Sequence, residues 1–179
     1  MPDPLIPPLG AADHVAGPPD AELELVMYGD FQCPFCSAAQ PIIQRVRDRL
    51  EGRLRYAFRH FPLSEVHPDA QRAAEASEAA AAQGAFWPMH DALYGAGGAL
   101  DLDAVLAAAR GLEVDVDVEQ LRSELVEGRH AQRVADDLES GRAAGVTGTP
   151  AFFVNGERHD GGYDAQSLIA ALERAAGPG

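Results

Sequence analysis

An α/β fold with a large α-helical block set into it is predicted by three observations. The apolar run Leu23 to Tyr28 (LELVMY) passes through a turn into a helical pattern that begins at Pro34, and an alternating run follows at Arg55 to Phe61 (RYAFRHF). From about Ser64 to Gly145 the composition becomes alanine-rich and helix-favouring. Strand character then returns at AFFVNG, close to the C-terminus. The expected division is therefore an α/β core made of residues 21–63 and 146–176, with residues 64–145 as the inserted helical domain.

Taken in order, residues 1–20 hold six of the thirteen prolines and read as an extended N-terminal arm, not a core element. Leu23 to Tyr28 has the length and continuous apolarity of a buried strand. In the helix that follows, up to about Leu50, Pro34 occupies the first turn, where a missing N–H costs nothing. Pro41 lies deeper and is expected to bend that helix. Within the helical block, DAQRAAEASEAAAAQ, AFWPMHDALY and DLDAVLAAAR read as successive helices, the last two parted by the glycine-rich break at Gly95–Gly98. Asp117 with Gln120 has capping-box spacing and opens DVEQLRSELVEG, with Gly128 as its stop. A further helix runs from about His130 to Ala144. A turn at Asn155–Gly156, a short strand near His159–Gly161 and a helix from Asp164 to Ala175 complete the chain. There is no internal repeat.

The net charge is −14 and all positive side chains are arginine, which disfavours binding to phosphate backbones and otherwise describes a solvated surface. No apolar run is long enough to span a bilayer. The opening MPDPLIPPLGAAD lacks a basic region and a continuous apolar stretch, so a secretory signal is not read there and a cytoplasmic location is expected.

The two cysteines carry the chemistry. Cys33-Pro34-Phe35-Cys36 stands at a strand-to-helix junction. Two intervening residues in a first helical turn bring the sulfurs within bonding range. Cys33 is left at the helix N-terminus, where unpaired N–H groups and the macrodipole favour a thiolate. A field worth ~1–2 kcal/mol lowers a thiol pKa by about one unit. Thiol–disulfide exchange needs such an attacking thiolate and a second sulfur to release the mixed disulfide. The competing reading, half a zinc site, lacks a second ligand pair, and no histidine pair has ligand spacing, so neither a metal nor a cofactor is expected. No phosphate-binding glycine loop or nucleophile elbow is present.

The second feature is Gly145-Val146-Thr147-Gly148-Thr149-Pro150, which leads directly into AFFVNG. Alone, a proline entering a strand reads as an edge or turn residue. Together, YGDFQCPFC, RHFPL, the alanine-rich helix, FWPMHDALY and GVTGTPAFFVNG resemble, in that order, the DsbA-like branch of the thioredoxin superfamily. The resemblance covers about residues 12–175 and extends to the domains of this type that occur alone or fused to sodium/proton antiporters. It implies a thioredoxin-like fold with an inserted helical domain and a thiol–disulfide oxidoreductase activity. Cys33 and Cys36 would be catalytic, and Pro34, Phe35, Thr149 and Pro150 would meet substrate, Thr149–Pro150 as a cis-proline loop facing the cysteines. Protein or small-molecule thiols and disulfides, and a redox partner, are the implied partners.

The sequence departs from that pattern in two places. Met27 stands where related members often bury an acid as proton carrier, leaving Glu24, Asp30 or water for the task. Phe35 replaces the histidine of strongly oxidising members, so a less acidic Cys33 is expected. Cys33 is expected to be the exposed sulfur and Cys36 the deeper one. His90, Phe86, Trp87 and Tyr94 read as core of the helical block, and Asp136 and Asp137 as solvated. Two other functions fit the same sequence: a peptide-binding or chaperone-like module whose cysteines only sense redox state, and a glutathione-dependent enzyme of related fold, although relatives of that type usually carry serine here.

Overall fold

The computed structural model describes residues 3–177. The chain divides into two compact units. One comprises residues 3–29, 38–59 and 139–177, the other residues 30–37 and 60–138.

The first unit is built on a five-stranded sheet of order β1-β3-β2-β4-β5, with β1 His14–Ala16, β2 Leu23–Gly29, β3 Leu54–His60, β4 Ala151–Val154 and β5 Glu157–His159. Leu23, Leu25, Val26, Met27 and Tyr28 of β2 are all buried, so both faces of that strand are covered, as its unbroken apolar run requires. β4 pairs antiparallel with β2, placing Met27 opposite Phe152. Helix α1 (Pro34–Arg49) runs without interruption through Pro41. Beyond its first turn it buries Ala39, Ile43 and Val46, and Leu50 just past its end continues that face at helical spacing. The last helix of the chain, residues 165–176, packs on β2 and β4.

The N-terminal arm corrects the sequence reading. Residues 14–16 are a strand, β1, paired antiparallel with β3 in the register His14↔Phe58, and Leu5 is buried. Pro4 bridges Glu157. The prolines mask this, because the stabilising contacts are long-range. Arg59, 2% exposed, donates to both oxygens of Asp13 at 2.7 and 3.0 Å and to the Tyr28 hydroxyl at 3.0 Å. Burial opposes the charge on the guanidinium, but the bonds to Asp13 and Tyr28 outweigh it and raise its pKa. Gly17 ends the strand with φ 101°, and a Cβ there would lie 2.3 Å from the Leu54 carbonyl oxygen, so only glycine lets the arm lie this close to β3.

The β4–β5 hairpin turns on Asn155 and Gly156, both in the left-handed region (φ 46° and 81°). A two-residue loop fixes the pair Val154↔Glu157. β5 therefore starts immediately after the turn, ahead of the expected position at His159–Gly161.

The second unit is helical: α2 Ala70–Ala81, α3 Phe86–Gly95, α4 Leu102–Arg110, α5 Val118–Glu127 and most of α6 Ala131–Ala143; the last helix is thus α7, Ala165–Ala176. α2 touches α3, α4 and α5, and its alanines 70, 73, 74, 76, 79 and 80 are buried. Small side chains allow three neighbours to approach one axis, so here alanine serves packing as well as propensity. Asp117 caps α5 by accepting the Gln120 N–H at 2.9 Å, and Gly128 ends it at φ 64°. The reciprocal bond of the capping box is absent. Gln120 reaches forward to Glu124, and the Asp117 N–H donates to Gln83.

Candidate active site

Cys33 and Cys36 lie one helical turn apart at the start of α1. The Cys33 N–H donates to the Asp30 carbonyl at 3.1 Å, and its own carbonyl accepts the Ser37 N–H at 3.1 Å, so Cys33 is the last residue of a turn and the cap of α1. Pro34 opens the helix, and no acidic residue stands in its first turn to oppose a thiolate. Phe35 is 63% exposed.

The expectation for the two sulfurs needs one correction. Cys36 is fully buried, as expected, but Cys33 is only 3% exposed. The turn that ends in Cys33 is drawn into packed surroundings, Asp30 and Phe31 being buried themselves, so the thiol is covered along with them.

Three consecutive residues hold that turn. Asp30, 2% exposed, accepts the Gln32 N–H on Oδ1 at 2.7 Å, an Asx turn, and on Oδ2 accepts the Leu63 N–H at 2.9 Å and His67 Nδ1 at 2.8 Å. Phe31 packs edge-on or tilted against His60, His90 and Tyr94, with centroids 6.0, 5.6 and 4.9 Å away. Gln32 accepts the Asp69 N–H at 2.9 Å and donates to the Gly98 carbonyl at 3.0 Å. The sequence signal for this clamp was the acid two residues before Gln32 in GDFQC; its partners 63, 67, 69 and 98 had no signal.

Behind Phe31, His60 is buried, with Nε2 2.7 Å from Glu78 Oε1 and its N–H donating to Asp137 Oδ2 at 2.9 Å. Asp137 also accepts from Arg133. The reading of Asp137 as solvated is therefore corrected; Asp136 is exposed. His90 is buried among Phe31, Phe86, Trp87 and Tyr94, with Nδ1 2.8 Å from Asp91, which makes it part of the core of the helical unit.

Thr149 and Pro150 belong to the first unit, in the half-buried loop before β4, and the peptide bond joining them is cis. This loop lines a cavity of about 340 Å³ together with Arg158, His159 and Tyr163. The Arg158 guanidinium donates to the Gly145 carbonyl and, at 2.9 Å, to Asp160. Met27 is fully buried in β2, and the Tyr56 hydroxyl lies 3.6 Å from its sulfur. Of the acids considered in its place, Glu24 pairs with Arg55 at 2.5 Å in the first unit, whereas Asp30 lies in the cysteine-bearing turn.

The structure superposes on a thioredoxin-like oxidoreductase from Silicibacter pomeroyi with a TM-score of 0.83 and 28% identity, covering 95% of each chain. BdbD from Bacillus subtilis matches at TM-score 0.83 and 20% identity over 93% of this chain and 94% of the other. The catalytic domain of Proteus mirabilis ScsC matches at 0.79 and 20% over 97% and 93%. At those last two identities the likeness is one of fold. In sequence, the chain is 45% identical over 163 residues to a Na(+)/H(+) antiporter NhaA 1 of Salinispora arenicola, covering 91% of this chain and 24% of that protein. It is 46% identical over 167 residues to an antiporter of the same name from Mycolicibacterium gilvum, covering 92% and 27%. The chain thus spans about a quarter of the length of these curated relatives, which fits a fused domain. The thioredoxin family model matches residues 11–174. With a thioredoxin-like fold and that match over nearly its whole length, the chain belongs to the thioredoxin family.

Proposed function

We propose that the chain is a thiol–disulfide oxidoreductase of DsbA-like type, acting on protein or small-molecule disulfides. The observation that carries the reading is the pair Cys33 and Cys36 across the first turn of α1, with Cys33 at the helix terminus and Cys36 fully buried. The Cys33 thiolate attacks a substrate disulfide, forming a mixed disulfide and releasing one substrate thiolate. Cys36, deprotonated, then attacks the Cys33 sulfur, forming the Cys33–Cys36 disulfide and releasing the second thiolate. The substrate gains two electrons, the protein loses two, and an external thiol reductant restores the dithiol. The reverse sequence oxidises a substrate dithiol, and the redox poise of the compartment selects the direction. Phe35 offers an exposed apolar contact beside Cys33, and the Thr149–Pro150 loop offers backbone to an extended substrate strand.

Ion transport, which the names of the long relatives describe, is no part of this proposal. No helix among the described residues is long and apolar enough to cross a membrane.

The 3% exposure of Cys33 favours a second reading, a binding module whose covered cysteines report redox state. Turnover separates the two. With dithiothreitol as electron donor, the wild type should reduce a protein disulfide catalytically, and Cys33→Ser should lose that turnover. Under acid quench from cells, Cys36→Ser should accumulate mixed disulfides on Cys33, and Cys33→Ser should hold none. Equal, uncatalysed rates for wild type and Cys33→Ser, with no captured partner on either variant, establish the binding module instead.

A further inference from the structure

The clamp on the Cys33 turn contains a buried charge that the exchange chemistry itself does not use. Asp30 accepts three N–H bonds, from Gln32, Leu63 and His67, on two oxygens, while its backbone carbonyl accepts from Cys33. An amide in its place offers a single acceptor oxygen and turns its NH₂ towards an N–H donor. The geometry therefore calls for a carboxylate, and a buried carboxylate in the same turn as a thiol opposes formation of the thiolate. His67 bonds to it at 2.8 Å, with its own side chain 20% exposed and that of Asp30 fully covered.

The other charged and titratable groups around the turn already have partners. Asp69, bonded to Gln32, pairs with Arg72 at 2.7 Å. His60 pairs with Glu78, and His90 with Asp91. The Tyr94 hydroxyl donates to the Asp30 carbonyl at 3.4 Å. Glu65 is exposed, and the first turn of α1 holds no acid. His67 is thus the group placed to offset Asp30, its ring Nδ1 meeting the carboxylate at 2.8 Å.

We propose that Asp30 and His67 are a charge-compensated positioning pair for Cys33, the carboxylate holding the turn and the imidazole offsetting its charge, so that together they set how readily Cys33 ionises. The proposal rests on the thiol–disulfide reading for its significance, though its test does not depend on turnover. In the full chain carrying Cys36→Ser, so that Cys33 is the sole thiol, ultraviolet thiolate absorbance is titrated for the parent, Asp30→Asn and His67→Gln, with circular dichroism to verify folding. Removing the negative charge should lower the Cys33 midpoint by roughly half a unit or more, and removing the compensating group should raise it. Mere loosening of the turn would move both variants the same way, so shifts of the same sign, or none in either variant, overturn the proposal. If Asp30→Asn fails to fold, a lowered or unmoved midpoint in His67→Gln overturns it alone. Absence of catalytic turnover in the wild type with opposite shifts in the two variants would defeat the oxidoreductase reading and leave the pair standing. Turnover without the shifts would do the reverse.

Discussion

The two units fasten their non-helical segments by different means. In the helical unit, the turn of residues 30–33 is held by many modest bonds spread over neighbouring residues: those of Asp30, those of the Gln32 side chain, and the aromatic contacts of Phe31. In the sheet unit, the N-terminal arm adds to its pairing with β3 one buried ion pair, Arg59–Asp13, with side chains 2% and 7% exposed. The loop before β4 is held near one end by the Val146 N–H on the Gly141 carbonyl at 2.8 Å and by Arg158 on Gly145, and at the other by entry into the strand. Distributed bonding spreads the hold on the Cys33 turn over several partners, so loss of one neutral bond removes only part of it. A single buried pair is all-or-none, because removing one partner strands the other charge.

The largest effect should come from breaking the single pair. Asp13→Ala leaves Arg59 buried with, among the described residues, Tyr28 and the Pro8 carbonyl as acceptors, and should cost about 3 kcal/mol or more in urea unfolding. A loss under about 1 kcal/mol would show that the arm is held by its strand pairing and not by the ion pair.

Gln32→Ala removes two good hydrogen bonds from the distributed clamp and should cost about 1–2 kcal/mol, with the thiolate midpoint of Cys33 nearly unchanged because no charge is altered. A loss as large as that of Asp13→Ala would erase the contrast between the two units.

The smallest effect tests whether a charged cluster in the helical unit also behaves as a shared network. Glu124, in the last half of α5, is held below the usual carboxylate range by hydrogen bonds from His130 and Gln120, with Arg129 adding a lesser attraction. A carboxyl whose folded-state pKa is depressed stabilises above its unfolded value, and that contribution disappears as pH falls through the folded one. Glu124→Gln should therefore cost about 1 kcal/mol at neutral pH. The gap between variant and wild type should close in unfolding curves taken below about pH 4. A gap that persists unchanged in acid would assign the effect to packing.

What the sequence determined by itself was local. The CPFC dithiol at the mouth of a helix, the Asp117 cap and Gly128 stop of α5, the Asn155–Gly156 turn and the buried β2 run each depend on residues within a few positions of one another. Capping, left-handed turns and apolar periodicity act at that range, so they are legible without coordinates. Only the tertiary structure decided that His14–Ala16 joins the sheet, that Asp137 is buried under the His60 N–H, and that Cys33 is covered. It alone also decided which residues meet the Asp30 carboxylate. These facts turn on which distant residue supplies the partner for a buried polar group. A charged side chain reads as solvated in sequence because water is its default partner, and only the packing of Leu63, His67 and Gln32 around Asp30 replaces that water with fixed donors.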